Sequence, residues 1–231
     1  MQCGELKSIS IPSSIESIGD YSFYGCSNLI NISIKEESQI NEIGDYSFCK
    51  CINLINISIE KLSNLINIGS YSFSCCVNLI SIILPLQLKE ISSNLFEGCS
   101  KLESITILSN ISNIYEFSFL NCYNLECIQY FGTEEPNVNQ NAFQGCTILK
   151  YIYTNLTYSN ETFGSFKVQK RAKISDMCSS DLGSSKRSGL KDGQIACIVI
   201  FSFIFIVIIC IILFFTVFKR NKSIKEEENT P

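Results

Sequence analysis

This chain of 231 residues has thirteen cysteines and no histidine, and that composition limits the chemistry that it can perform. A cysteine or serine nucleophile is normally activated by a histidine base, and histidine is also a common zinc ligand. The composition therefore excludes Ser-His-Asp catalysis, Cys-His catalysis and a histidine-ligated metal within the chain. No nucleophile pair or phosphate loop stands out either, so we expect no enzyme activity, no catalytic residue, no metal and no cofactor.

Seven cysteines recur at intervals of 23 to 25 residues, and we call them the cysteine column: Cys3, Cys26, Cys51, Cys76, Cys99, Cys122 and Cys146. An even set of cysteines in an exported chain would suggest disulfides. Because each interval keeps its cysteine in the same slot, we instead predict buried thiols that fill space and donate a weak hydrogen bond. Cys49 lies outside the column, and adjacent Cys75 and Cys76 are poorly placed to pair with each other.

The cysteine column is one part of a longer unit, F-x-x-C-x-x-L-x-x-I-x-I, which occurs six times. Its phenylalanines are Phe23, Phe48, Phe73, Phe96, Phe119 and Phe143. A fixed period in the twenties, built on Leu and Ile, is typical of a leucine-rich solenoid. One coil buries about six large apolar side chains, too few to offset the conformational entropy of ordering it. The coils must therefore stack on one another.

The pattern within a coil predicts one short strand and one bend. In "NISI" the apolar residues alternate, so Ile32 and Ile34 should point inward from a strand. Strands of successive coils should pair in parallel. The "IGDYSF" segments predict a turn followed by a tight helical or irregular bend, with Gly19, Gly44 and Gly69 where a side chain would be strained. The expected fold is an α/β-type leucine-rich repeat solenoid with coils of 23 to 25 residues.

These coils resemble the BspA-like, or treponemal-type, leucine-rich repeats, whose unit reads I-G-x-x-A-F-x-x-C-x-x-L-x-x-I-x-I-P-x-S-V-x-x-I. The stretch "LKSISIPSSIESIGDYSFYGC", from Leu6 to Cys26, follows that unit closely and includes Pro12. Serine commonly replaces the alanine of the family. The resemblance covers residues 1–154 and implies a cell-surface role in adhesion or host interaction, with a protein or glycan ligand on host cells or matrix.

The amino-acid composition changes after the repeats, and this change predicts four regions in the chain. The solenoid occupies residues 1–166 with an incomplete first coil, and 167–194 form a flexible stalk rich in Ser, Lys, Gly and Asp. Residues 195–218 carry no charge and are long enough to span a bilayer as one helix, followed by a short cytoplasmic tail at 219–231. Because the chain starts inside a coil, both a longer upstream protein and a short gene copy with a frayed half-coil fit.

Location follows from the span and the charge. The net charge of −4 gives no basic footprint for nucleic acid. We expect a single-pass plasma membrane protein that contacts the lipid bilayer and carries its repeats outside the cell. A tail-anchored protein with a cytosolic repeat domain is the alternative, because no signal peptide precedes the repeats. Five sequons ahead of the span are candidate glycosylation sites: Asn31, Asn56, Asn110, Asn155 and Asn160.

The outward residues of the strands are the candidate binding surface. They are mostly small hydroxyl and amide side chains with two tyrosines at one end: Asn31, Ser33, Asn56, Ser58, Ser81, Ser104, Thr106, Gln129, Tyr151 and Tyr153. Such groups suit an adaptable polar contact with a protein or glycan. The alternative is that they only solvate the sheet, and that the protein is a structural or variable surface antigen without a dedicated ligand.

Overall fold

Each coil contributes a first β-strand, of four residues in all coils but one, and a second β-strand of two residues. The computed structural model describes residues 3–35 and 37–170, and the first strands are called the longer ones although β5 has only two residues. These residues belong to one unit, Met1–Ser179. The longer strands are β1 Ser8–Ile11, β3 Asn31–Ile34, β5 Asn56–Ile57, β7 Ser81–Leu84, β9 Ser104–Ile107, β11 Cys127–Tyr130 and β13 Tyr151–Thr154. The shorter ones are β2 Ser17–Ile18, β4 Glu42–Ile43, β6 Asn67–Ile68, β8 Glu90–Ile91, β10 Asn113–Ile114 and β12 Asn137–Val138. A closing hairpin adds β14 Thr162–Phe163 and β15 Phe166–Lys170.

Successive coils pair in parallel, as predicted. The longer strands form sheets in the orders β1-β3-β5 and β14-β15-β13-β11-β9-β7, and the shorter ones β2-β4-β6 and β12-β10-β8. Both ladders break where the loop between the two strands of a coil shortens. Ile68 follows Ile57 by eleven positions, whereas Ile91 follows Ile82 by nine. The stack continues through the break, because the N–H of Ile80 donates to the carbonyl of Ile55 at 3.4 Å.

The phenylalanines line up along one interior column. Rings of successive coils stack with centroids 5.0 to 5.7 Å apart and planes within 17° of parallel, from Phe23 to Phe143. Phe48, Phe73 and Phe96 are fully buried, together with the leucines of the same coils. Ile32 is buried and Ile34 is half-buried, as the strand pattern predicted. The repeat therefore encodes one shared core.

The helical part of the prediction is wrong, because the described residues contain no helix. The segments around the phenylalanines instead stack as turns joined by hydrogen bonds, and we call them the turn ladder. In its first interface Tyr21, Phe23 and Gly25 donate their N–H groups to carbonyls of the next coil at 2.7 to 2.9 Å. Tyr21 and Gly25 have φ angles of 56° and 69°. Two left-handed residues per turn prevent a right-handed helix from forming.

The glycines that precede this turn are required by close packing between coils rather than by φ. None of Gly19, Gly44 and Gly69 has a left-handed φ. A Cβ on Gly44 would lie 2.6 Å from the backbone nitrogen of Asp20, and one on Gly69 would lie 2.5 Å from that of Asp45. Gly19 meets nothing closer than 3.5 Å. The expected strain is therefore steric, and it applies to two of the three glycines.

A hairpin closes the C-terminal end of the stack. Strand β15 pairs with β13 in parallel and with β14 in antiparallel fashion. Phe166 packs edge-on against Phe143 with centroids 5.2 Å apart, and Tyr158 and Phe163 are buried. Strand β15 extends to Lys170, and Val168 packs against the core.

The rest of the predicted stalk, the predicted span at 195–218 and the predicted tail lie outside the described residues. Within 3–35 and 37–170, no helix has the length and apolar character needed to cross a bilayer.

Candidate binding surface

Strand register brings the nominated outward residues into two rows, which together we call the strand face. In the first row Asn31 pairs with Asn56, and Ser81, Ser104, Cys127, Tyr151 and Lys167 follow one another. In the second row Ser33 pairs with Ser10, and Ile83, Thr106, Gln129, Tyr153 and Gln169 follow one another. Ser58 lies directly after β5. The register therefore places nine of the ten nominated residues in these rows, and Ser58 is the exception.

Exposure differs between the two halves of the strand face. Asn31, Ser33, Asn56, Ser58 and Ser81 are exposed. Ser104, Thr106 and Gln129 are half-buried, and the hydroxyl of Thr106 donates to Oε1 of Gln129 at 3.3 Å. The half built from the first coils thus offers the more accessible amide and hydroxyl groups.

At the tyrosine end of the strand face, one nominated side chain is buried although the strand pattern predicts that it points outward. Tyr153 is only 8% exposed and packs with Cys127 and Phe131 in a small cluster of its own. The backbone of Tyr151 lies between those of Cys127 and Lys167. Cys127 is disulfide-bonded, whereas the nine other cysteines among the described residues are free. Tyr153 therefore offers little area to a partner, because a residue of the preceding coil covers it.

An exposed apolar ladder borders the N-terminal half of the strand face. Ile55 and Ile80 are 41% and 44% exposed, and with half-buried Ile30 they form what we call the isoleucine ladder. A groove of about 480 Å³ runs along these three residues and is completed by Asn53, Asn78 and Lys101. The sequence analysis missed this feature. Its signal was an isoleucine directly after the recurring leucine, at a position that the repeat leaves open.

The five sequon asparagines fall into two groups by their hydrogen bonds. Asn155 donates its amide to the carbonyl of Phe131 at 3.2 Å, and Asn160 donates to Oε2 of Glu135 at 2.6 Å. Asn31 and Asn56 are exposed on the strand face, and Asn110 is exposed with its Oδ1 accepting from a backbone N–H. A glycan at Asn31 or Asn56 would cover the surface nominated for binding.

The cysteine column is a structural feature of the core. Each thiol donates to the carbonyl of the phenylalanine in the preceding coil at 3.0 to 3.2 Å, from Cys51 to Cys146. Burial raises the pKa of Cys51 to about 12 and raises the pKa of Cys76 as well. A thiol that stays protonated is neither a nucleophile nor a metal ligand. In the part of the chain that the structure describes, no three Cys, Asp or Glu side chains are placed to hold a metal ion.

Comparison with protein families agrees with this architecture. The model of the BspA type leucine rich repeat region matches the chain in six copies, over residues 1–126 and 66–178. No curated protein matches the chain.

Solved structures also resemble the chain. A T. pallidum leucine rich repeat protein, TpLRR, is 19% identical with a TM-score of 0.51, over 71% of this chain and 85% of that protein. A leucine rich cell surface protein of Faecalibacterium prausnitzii is 19% identical with a TM-score of 0.29, over 66% and 60%. The pneumococcal vaccine antigen PcpA is 17% identical with a TM-score of 0.31, over 68% and 64%. The T. pallidum likeness supports the fold, and the other two are too distant to add to it.

Proposed function

Because the chain belongs to the family of BspA-type leucine-rich repeat proteins, we propose that it is a binding module displayed at a cell surface. It contacts a protein or glycan through the strand face, on host cells or matrix. The observation that carries this proposal is the register that pairs Asn31 with Asn56, both exposed next to the isoleucine ladder. Ser33 and Ser58, two positions further along each chain segment, are exposed as well.

This surface combines two kinds of contact. The amide and hydroxyl groups stand about 4.8 Å apart along the ladder and each can donate or accept a hydrogen bond. The isoleucine ladder beside them supplies exposed apolar area, which on a soluble surface often marks a contact site. Because the nominated residues carry no charge, binding through them should depend only weakly on salt.

We further propose that residues 195–218 anchor the protein in the membrane with the repeats outside. The support is an uncharged apolar run of bilayer length. Protease or antibody access to the repeats on intact cells tests the sidedness. Cleavage only after permeabilisation would favour the cytosolic, tail-anchored alternative.

The binding proposal is tested with the purified full chain in detergent, added to host cells and to matrix proteins. Asn56→Arg places a bulky charge at the centre of the exposed row and should weaken binding by about tenfold or more, as substitutions at the centre of an interface do. Asn41→Arg is the matched control, because Asn41 is exposed in the loop before β4. Tyr151→Ala and Ser104→Ala test the other half of the strand face.

Equal binding by all of these variants would reject the strand face as the site. Absence of binding to any cell or matrix preparation would instead favour a structural or variable surface antigen.

Glycan attachment remains part of the proposal for the five sequons. Mass analysis after expression in glycosylating cells would locate the modified asparagines. If Asn31 and Asn56 carry glycans, the strand face is masked, and binding should increase when both are changed to glutamine.

A further inference from the structure

The turn ladder repeats one pattern of backbone hydrogen bonds at each of its five interfaces. The N–H of the phenylalanine and the N–H two residues later donate to the next turn at 2.6 to 3.0 Å. In the last interface, Phe119 donates to the carbonyl of Ala142 and Asn121 to that of Gln144, both at 2.9 Å. The two acceptors are always alternate residues of one polypeptide segment. The molecule thus shows, five times, what such a pair of N–H donors binds, which is two alternate carbonyls of one polypeptide segment.

The sixth turn carries the same donor pair without an acceptor. Within 3–35 and 37–170, the N–H groups of Phe143 and Gly145 make no hydrogen bond. The second half of the turn keeps the geometry of the others, because the ring of Phe143 stacks on that of Phe119 at 5.0 Å and Gly145 has a left-handed φ of 84°. Asn141, two residues before Phe143, lacks the left-handed φ that Tyr21 and its counterparts have in the other turns. Both N–H groups therefore point away from the stack, as the N–H groups of Phe119 and Asn121 point toward the sixth turn.

A cavity lies at this end of the turn ladder. Its volume is about 530 Å³, and it is lined by residues 138–141, 143 and 144 and by Gly164, Ser165 and Phe166 of the closing hairpin. Gly145 follows directly after the last lining residue of the turn. That volume is within the range of ordinary ligand pockets. The side chains that line it carry no charge, and those of Gln140 and Gln144 add amide groups that can bind a peptide backbone.

We propose that this cavity binds an extended peptide segment of a partner protein, whose alternate carbonyls take the two N–H groups of Phe143 and Gly145. The mode is the addition of one more segment to an exposed edge, with backbone hydrogen bonds supplying the affinity. An N–H group that loses its water on binding and gains no acceptor costs free energy, so a segment that offers two carbonyls to the two N–H groups is favoured. This site lies at the end of the stack and does not depend on the strand face.

The hairpin sets the specificity of the site. In each of the five internal interfaces the residue between the two acceptors is a phenylalanine that stacks on the ring of the preceding turn, as Phe143 stacks on Phe119. At the sixth turn that position is taken by Phe166, edge-on to Phe143 with centroids 5.2 Å apart. A large central side chain on the partner would therefore collide with Phe166. The preferred segment has glycine or another small residue between its two acceptor carbonyls.

The test uses the full chain labelled with ¹⁵N and two peptides taken from residues 141–145. One peptide, Ac-Asn-Ala-Gly-Gln-Gly-NH2, has glycine in place of Phe143, and the other keeps the phenylalanine. The glycine peptide should move the amide proton signals of Phe143 and Gly145 downfield and leave those of Phe119 and Asn121 in place. The phenylalanine peptide should bind about tenfold more weakly.

Phe166→Ala should remove that tenfold preference, whereas Phe131→Ala, on the strand-face side, should keep it. If Phe166→Ala does not fold, the amide shifts of the unaltered chain decide. Unmoved Phe143 and Gly145 signals at saturating peptide would overturn the proposal. Shifts of these two signals by glucose but not by peptide would also overturn it, because the occupant would then be a saccharide.

Discussion

The thiol of Cys76 donates a hydrogen bond to the carbonyl oxygen of Phe48 in the preceding coil, at a sulfur to oxygen distance of 3.2 Å. The same bond recurs from Cys51 to Cys146. The carbonyl of Phe48 also accepts the N–H of Cys51 at 3.1 Å, so the thiol supplies its second hydrogen bond. A slot that needs a small apolar side chain and a weak donor explains why cysteine returns in every coil.

The first prediction concerns stability in alkali. Burial raises the pKa of Cys51 from 9.0 to about 12, so the folded state keeps this thiol protonated while the unfolded chain loses its proton above pH 9. The stabilisation of the folded state by the protonated Cys51 thiol is complete below pH 9. The free energy of unfolding then declines as the pH rises toward 12, by up to about 1.4 kcal/mol per pH unit. Urea unfolding at pH 8 and pH 10.5 should show this loss.

Cys51→Ala should reduce the dependence of the unfolding free energy on pH. Cys75→Ala is the control, because Cys75 is half-buried and lies outside the cysteine column. Equal pH dependence in both variants and in the unaltered chain would contradict the assignment of the loss to the buried thiol.

The second prediction compares two buried serines that occupy the same slot in successive coils. The hydroxyl of Ser72 lies 2.8 and 2.6 Å from the carbonyls of Gly44 and Gly69, whereas that of Ser47 has no partner among the described residues. Ser72→Ala should cost about 1 kcal/mol of unfolding free energy, and Ser47→Ala should be neutral or stabilising. Urea unfolding of the two variants checks this. A larger loss for Ser47→Ala than for Ser72→Ala would refute it.

The inward columns could be predicted from the sequence because burial imposes the same residue type at the same slot in each coil. The ring stacking of Phe23, Phe48 and Phe73 follows directly from that period. Alternation along the strands likewise predicts which side chains lie on the outer side of the sheet, and Asn31, Ser33 and Asn56 are exposed there. Their role in binding stays a prediction.

The conformation of the turn ladder could not be predicted in this way. Tyr46, Lys50 and Cys75 have φ angles between 55° and 62°, although each side chain disfavours that region by about 1–2 kcal/mol. Hydrogen bonds between coils hold them there, and the sequence of one coil does not reveal those bonds. The burial of Tyr153 was missed for a related reason, because it depends on Phe131 in another coil.

The third prediction concerns the close approach of coils at the glycines. Gly44→Ala should destabilise the protein by more than about 2 kcal/mol, because its Cβ would lie 2.6 Å from the backbone nitrogen of Asp20. Gly19→Ala is the matched control, since the nearest atom to its Cβ is the Ser22 hydroxyl oxygen at 3.5 Å. Neither glycine has a left-handed φ, so the difference measures packing alone. Thermal unfolding of both variants would show it, and equal losses would rule out a steric cause.

The fourth prediction concerns Glu135, which ties the closing hairpin to the last coil. It stands three positions before Val138, where earlier coils place buried Ile40, Leu65 and Leu88 before their short strands. Its carboxylate instead accepts hydrogen bonds from the N–H of Gly164 at 3.0 Å and from the amide of Asn160 at 2.6 Å. An acid at this position ends the apolar column and holds the hairpin over the core.

Glu135→Ala should therefore loosen the hairpin without unfolding the coils. Hydrogen exchange at the N–H of Gly164 should become about tenfold faster, because local opening costs less free energy once the acceptor is removed. Exchange at Phe73 N–H, in the middle of the stack, should not change. Glu134→Ala is the matched control. Glu134 accepts a hydrogen bond from the hydroxyl of Tyr130 through its backbone carbonyl, which the substitution keeps. Unchanged exchange at Gly164 in Glu135→Ala would mean that aromatic packing of Phe163 and Phe166 holds the hairpin by itself.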